Sequence, residues 1–79
     1  MKNKYKQIHF FIIDSNVKEK EDRLWEIVNN KTRRVMGFVE YSNQQKDYVL
    51  NTILHGTIEF NISQLLDIVD FIKQLAGTE

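Results

Sequence analysis

The chain has 79 residues, of which 42% are hydrophobic and 11% aromatic, and its 11 basic residues balance its 11 acidic ones. This length predicts one small domain, and the lack of cysteine excludes a disulfide framework and a thiolate metal site. The charge is uneven, because residues 1–34 carry nine bases and five acids whereas residues 35–79 carry two bases and six acids. An overall basic footprint for nucleic acid is therefore missing, while a local basic patch is possible.

No segment predicts export or a membrane span. The apolar run that follows the basic residues 1–6 is too short for a signal peptide and lacks a small-residue cleavage site. No stretch approaches the roughly 18 apolar residues that cross a bilayer. We therefore expect a cytoplasmic protein.

Three apolar stretches predict the first part of a sheet. The run Ile8 to Ile13 is apolar on both faces, which favours a central strand or one covered on both sides. Strands at Arg23 to Val28 and Arg33 to Tyr41 form a hairpin around the Asn29 to Thr32 turn. Gly37 marks a bulge or a close approach by another group.

The rest of the chain predicts one or two further strands and a helix. Asp47 to Leu50 opens a fourth strand, and Thr57 to Phe60 is a short extended segment. Asn61 and Gln64 have the spacing of a capping box, and Gly77 is placed to end the helix in a left-handed conformation. The prediction is a single α+β domain over residues 1–79. It is an antiparallel β-meander of four to five strands with a C-terminal helix (61–76) packed on the sheet and a flexible basic arm (1–6).

The apolar arc of this helix predicts self-association. At 100° per residue the core-facing side comprises Ile62, Leu65, Ile68, Val69, Ile72, Leu75 and Ala76. Leu66 and Phe71 widen the arc at its two margins, beyond what one sheet needs. The surplus predicts a second partner, so we expect a homodimer or higher oligomer.

The residues that could carry catalysis do not form a pattern. Ser15, Ser42 and Ser63 lack a nucleophile-elbow context, and His9 and His55 are isolated from each other and from any spaced carboxylate partner. The sequence therefore predicts a protein without enzymatic activity, cofactor or metal.

The order of motifs resembles a widespread group of very small, mostly uncharacterised proteins encoded by phages and prophages. The likeness lies in Trp25-x-Ile27-x-Asn29, in Gly37-x-Val39-x-Tyr41, in Lys46-x-Tyr48 and in the helical pattern from Leu65 to Leu75. Members often carry a Gly-Pro-Trp-Arg-type loop between the two tyrosine-bearing strands. Here that loop is one residue longer and has Gln45 and Lys46 at the Trp and Arg positions. The resemblance implies a class whose members often inhibit or sequester components of host defences.

Six residues are candidates for ligand binding: Arg33, Arg34, Lys46, Trp25, Tyr41 and Tyr48. Basic and aromatic side chains together suit a nucleotide, because positive charge binds its phosphate and an aromatic ring stacks on its nucleobase. The leading prediction is an oligomeric protein that sequesters a small nucleotide signal. The alternatives are a single-stranded nucleic-acid-binding protein, similar to the sheet-plus-helix dimers of the transcriptional-coactivator type, and a direct inhibitor of a host protein.

Overall fold

The computed structural model describes residues 1–14, 16–52 and 58–77. The strands are β1 (Ile8–Ile12), β2 (Leu24–Asn29), β3 (Val35–Ser42) and β4 (Asp47–Thr52), and the helix is α1 (Ile62–Gly77). A 3-10 turn at Lys20–Asp22 lies between β1 and β2. The strands form one antiparallel sheet in the order β1-β2-β3-β4. The predicted α+β meander with a C-terminal helix is thus confirmed, with four strands in the described residues.

Both hairpins close by the same backbone geometry. The Arg33 amide donates to the Asn29 carbonyl at 2.8 Å, and the Lys46 amide donates to the Ser42 carbonyl at 2.7 Å. Arg33 (φ 63°) and Lys46 (φ 55°) are therefore both left-handed. L-residues pay roughly 1–2 kcal/mol for this conformation. Each turn thus holds a long cationic side chain where glycine is usual.

Gly37 was predicted to mark either a bulge or a close approach by another group, and the structure shows both. The register of β2 and β3 shifts between Ile27 and Val28, which is a β-bulge. A Cβ on Gly37 would lie 2.7 Å from the Asn51 carbonyl oxygen. Only glycine lets β4 approach β3 at this distance.

The core lies between α1 and one face of the sheet, and Phe71 is at its centre. The Phe71 ring stacks on Phe10 of β1 with centroids 4.0 Å apart, and Trp25 of β2 contacts its edge at 5.0 Å. The buried apolar residues of this core are Ile8, Phe10, Ile27, Met36, Val39, Ile68, Phe71 and Leu75.

The helix is rotated relative to the prediction. Phe71, placed at the margin of the apolar arc, is fully buried, whereas Ile62, Leu65 and Val69, placed on the core side, are exposed. A helical wheel gives each apolar residue equal weight, but a large aromatic ring gains the most from burial against Phe10 and Trp25. The surplus apolar surface therefore lies on the solvent side of α1.

The N-terminal end of α1 agrees with the prediction, and its C-terminal end does not. The Gln64 amide donates to Asn61 Oδ1 at 2.8 Å and the Asn61 amide donates to Gln64 Oε1 at 3.0 Å, which confirms the capping box. Gly77 is the last helical residue and its φ is not left-handed, because the helical conformation continues through it. In the described residues, no helix is sufficiently long and apolar to cross a bilayer.

Residues 3–5, predicted as part of a flexible arm, pair with β1. The Tyr5 amide donates to the Ile8 carbonyl at 2.9 Å, and the Phe10 amide donates to the Asn3 carbonyl at 2.8 Å. β1 is thus an edge strand rather than a central one, and the arm covers its outer edge. Such cover satisfies backbone groups that an open edge would leave unpaired. The second apolar face of β1, with Phe11 and Ile13, is exposed in the described chain.

Phe71→Ala tests the rotation of the helix. Loss of the stacked ring should lower the free energy of unfolding by about 3–5 kcal/mol, a large part of the total for a small domain. Phe11→Ala removes the same ring from an exposed position and should cost under about 1 kcal/mol. Chemical denaturation of the two variants measures the difference. Equal losses would contradict the placement of Phe71 at the centre of the core.

Candidate binding site at the basic end of the sheet

The six predicted ligand-binding residues lie at two ends of the sheet. Arg33 and Arg34 are in the β2–β3 turn, and Lys46 is in the β3–β4 turn. These turns are separated by the length of β3, about 23 Å at 3.3 Å per residue. The structure therefore brings Arg33 and Arg34 together but leaves Lys46 far from them.

The three predicted aromatic residues are half-buried and pack within the protein. The Tyr41 and Tyr48 rings meet edge-to-face at 5.4 Å near the Lys46 turn, and Lys20 Nζ lies 4.5 Å above the Tyr41 ring. Trp25 packs against Phe71 under the helix. These rings contribute to the core and its margin, and none lies beside Arg33.

Asn30 holds three segments together at the arginine end. Its side-chain Nδ2 donates to the carbonyls of Tyr5 (2.8 Å) and Lys6 (3.3 Å), and its backbone amide donates to the Gln7 carbonyl at 2.9 Å. Its Oδ1 lies 2.6 Å from His9 Nδ1. Because Nδ2 faces two carbonyls, Oδ1 is the acceptor for His9, and Nδ1 carries the proton. His9 Nε2 is then available to a ligand.

This end of the molecule, which we call the basic end, collects positive charge without carboxylates in the same segments. Its five bases are Lys4, Lys6, Lys31, Arg33 and Arg34, and residues 1–9 and 29–35 contain no Asp or Glu. In the described part of the chain, these five side chains form no ion pair and no hydrogen bond. Such a cluster attracts anions, because no ion pair among the described residues neutralises its charges.

Two clefts adjoin Asn30 at the basic end. The helix-side cleft, about 420 Å³, is lined by Lys6, Gln7, Asn29, Asn30, Lys31, Thr32 and Gln64. The sheet-side cleft, about 470 Å³, is lined by Lys4, Tyr5, His9, Phe11, Asn30 and Arg33. Both volumes fall in the range of small-ligand sites. The helix-side cleft is rich in amide groups, whereas the sheet-side cleft combines two bases with the His9 and Phe11 rings.

The arm that lines both clefts is fixed to α1 by Tyr5. Its hydroxyl donates to Asp70 Oδ2 at 2.7 Å and accepts from Gln74 Nε2 at 2.9 Å. Gln74 also bonds both backbone groups of Lys2. Burial and the hydrogen bond to the Asp70 carboxylate raise the pKa of the Tyr5 phenol well above its usual range.

The six predicted residues leave out several that line the two clefts, namely Lys4, Lys6, His9, Phe11, Asn30 and Lys31. The arm was interpreted as unpaired, so its lysines were not placed beside the β2–β3 turn. The signal that could have found them is the polar alternation of Lys2, Lys4 and Lys6 around Tyr5, which is typical of a strand. In the described residues, no group of three or more His, Asp or Glu side chains is arranged to hold a metal ion.

No family model matches the chain, and the searches of curated proteins and of solved structures find no match either.

Asn30→Asp tests whether Asn30 organises the basic end. The change keeps an oxygen towards His9 but replaces two donated hydrogen bonds by carboxylate–carbonyl repulsion, so it should cost about 1–3 kcal/mol of folding free energy. Asn43→Asp, an exposed residue of the β3–β4 turn, carries the same charge change and should stay within about 0.5 kcal/mol. Urea denaturation of both variants compares them. Equal stability of the two would contradict the role given to Asn30.

Tyr5→Phe tests the anchor through its pH dependence. The raised pKa means that the phenol is protonated more readily in the folded state. Its contribution is therefore complete below the unfolded pKa of about 10 and is lost as the pH rises through the folded value. The wild type should exceed Tyr5→Phe in unfolding free energy at neutral pH, and this gap should shrink above about pH 10.

The gap is measured by denaturant unfolding at several pH values. In an Asp70→Asn background it should be smaller throughout, because the charged acceptor is gone. A gap that stays constant above about pH 10 would contradict the anchor.

Proposed function

We propose that this protein is a non-enzymatic binding protein that takes up a small nucleotide at the basic end. The observation that carries the proposal is the sheet-side cleft, where the side chains of Lys4 and Arg33, which form no ion pair among the described residues, lie beside the His9 and Phe11 rings. A nucleotide presents the matching pair of features, an anionic phosphate and a flat base. Binding is stoichiometric and involves no chemical step at any residue of the cleft.

The phosphate contacts come from Arg33 and Lys4. An arginine fork donates two parallel hydrogen bonds to phosphate oxygens, and charge-assisted bonds of this kind are about twice as strong as neutral ones. Arg33 lines the sheet-side cleft from the end of the turn, where its backbone is left-handed. Lys6 and Lys31 line the helix-side cleft and serve a second phosphate group.

The base contact comes from Phe11 and His9. Phe11 is 59% exposed, which is unusual for a phenylalanine in a strand. Stacking of a base on an aromatic ring contributes about 1–3 kcal/mol. His9, two residues away on the same face of β1, offers Nε2 to the edge of the base or to a ribose hydroxyl.

A small nucleotide suits this surface better than a single-stranded polymer does. A polymer would have to continue across the exposed face of the sheet, where Glu26 pairs with Phe11 and Phe38 in register. Glu40 follows on the next strand. These carboxylates repel phosphates, and the chain has no net charge to compensate. The rings that a polymer would need, Trp25, Tyr41 and Tyr48, pack on the helix side.

The wider role that we propose follows from the resemblance to small phage and prophage proteins. A stoichiometric nucleotide-binding protein in the bacterial cytoplasm would lower the free concentration of a signal used in host defence. If titrations with nucleotides showed no binding, they would favour the alternative role, direct inhibition of a host protein.

Arg33 and Lys46, the two basic residues with a left-handed backbone conformation, provide a matched test. Arg33→Gly and Lys46→Gly each remove one charge and each relieve a left-handed residue, so both variants should keep or gain stability. Isothermal titration with ADP, pyrophosphate and a cyclic dinucleotide measures affinity. Arg33→Gly should lose about 10- to 100-fold in nucleotide affinity, the value of one charge-assisted contact. Lys46→Gly should remain within about twofold of the wild type.

Two controls distinguish binding of a small nucleotide from binding of a single-stranded polymer. Phe11→Ala should weaken ADP binding but not pyrophosphate binding, because only ADP carries a base. An oligothymidylate that binds more tightly than any nucleotide, with a steep loss in salt, would favour the polymer. Equal losses in Arg33→Gly and Lys46→Gly, or no binding of any probe, would overturn the proposal.

A further inference from the structure

The solvent side of α1 carries an apolar ridge with no partner in the described chain. Its members are Ile62, Leu65, Leu66 and Val69, exposed by 77%, 42%, 64% and 48%. They follow the i, i+3, i+4, i+7 spacing of a helix-packing surface. Lys73 continues this side of α1 one turn beyond Val69, and the buried face, with Ile68 and Phe71, lies opposite. A monomer would leave this contiguous surface in water.

We propose that the ridge is a two-fold interface in which α1 packs antiparallel against α1 of a second copy. The apolar positions run from Ile62 to Ala76, so their midpoint is Val69. With the two-fold axis at Val69, the exposed Ile62 of one copy faces the small Ala76 of the other. Large against small is the pairing that lets two helices approach closely.

The charges on this side of α1 agree with the antiparallel arrangement. Lys73 is the charged residue on this side and is exposed, whereas the Asp70 carboxylate accepts the Tyr5 hydroxyl on the arm side. The axis at Val69 sets Lys73 alongside the Leu65–Leu66 turn of the second copy. The two Lys73 side chains then lie about 12 Å apart along the helix axis, so these like charges do not face each other. Antiparallel helices also oppose their dipoles favourably.

The other exposed apolar surface is a poorer site for a second copy. The open face of the sheet carries Phe11 and Ile13, but Glu26 and Glu40 lie on its two middle strands. The Asn51 side chain donates a hydrogen bond to Glu40. Two such faces packed together would bury like charges against each other, which is costly. Charge therefore favours the helix.

The size of the ridge sets the strength of the dimer. A helix of 16 residues is about 24 Å long, and one helix pair buries less than the roughly 800 Å² per partner of a standard interface. The dimer should therefore dissociate in the micromolar range. Each copy keeps a complete basic end, so nucleotide binding and dimerisation should be separable.

Single-cysteine cross-linking tests the axis directly, because the chain has no cysteine of its own. Val69→Cys places two thiols face to face across the axis and should give a disulfide-linked dimer under mild oxidation. Ser63→Cys is exposed on the polar side of α1 and should remain monomeric. Cross-linking of Ser63→Cys at the rate of Val69→Cys would overturn the arrangement.

Sedimentation and native mass spectrometry between about 1 and 200 µM, a range that brackets the expected dissociation constant, test the dimer itself. The wild type should shift from monomer to dimer across it. The double variant Leu66→Gln/Val69→Gln should stay monomeric with unchanged circular dichroism and unchanged nucleotide affinity. Ile13→Gln, on the open sheet face, should dimerise like the wild type. A monomeric wild type, or dissociation by Ile13→Gln alone, would overturn the proposal.

Discussion

The stack of Phe71 on Phe10 is the contact on which the rest of the structure depends. It joins α1 to the edge strand β1 at 4.0 Å and fixes which side of the helix faces the sheet. Because Phe71 is buried, Asp70 and Gln74 are turned towards Tyr5, and the opposite side of α1 is turned to water. One aromatic contact therefore determines both the anchor of the N-terminal arm and the apolar ridge.

The anchored arm in turn builds the basic end. Tyr5 fixes the arm to α1, and Asn30 fixes it to the β2–β3 turn. Lysines that would otherwise be dispersed in solvent are thus held beside Arg33. The backbone of the arm is ordered in advance, which lowers the entropy cost that binding of a ligand at this end would carry. The two clefts share Asn30, so a ligand that spans both would contact the arm and the turn together.

The basic end and the ridge divide the chain by charge. The positive half of the sequence, residues 1–34, supplies every lining residue of the two clefts except Gln64, and the acidic half supplies the helix. A small domain without disulfides has little stability to spare, yet Arg33 and Lys46 are both held in a costly backbone conformation. That cost at Arg33 is consistent with selection for a cation at that turn, although Lys46 shows that the turn geometry alone also tolerates one.

The sequence by itself determined the four strands, the capping box of α1 and the special position of Gly37. These features depend on alternation, spacing and backbone conformation, which are properties of neighbouring residues. Only the tertiary structure decided the rotation of α1, the edge position of β1 and the pairing of the arm. The same holds for the site, because Asn30 meets Tyr5 across 25 positions and Tyr5 meets Asp70 across 65. Sequence analysis found Arg33 and Arg34 because cations in a turn are visible locally. It missed Lys4, His9 and Phe11 because only long-range contacts bring them beside the turn. It missed Asn30, three residues before Arg33, because its hydrogen bonds to the arm cannot be read from the turn itself.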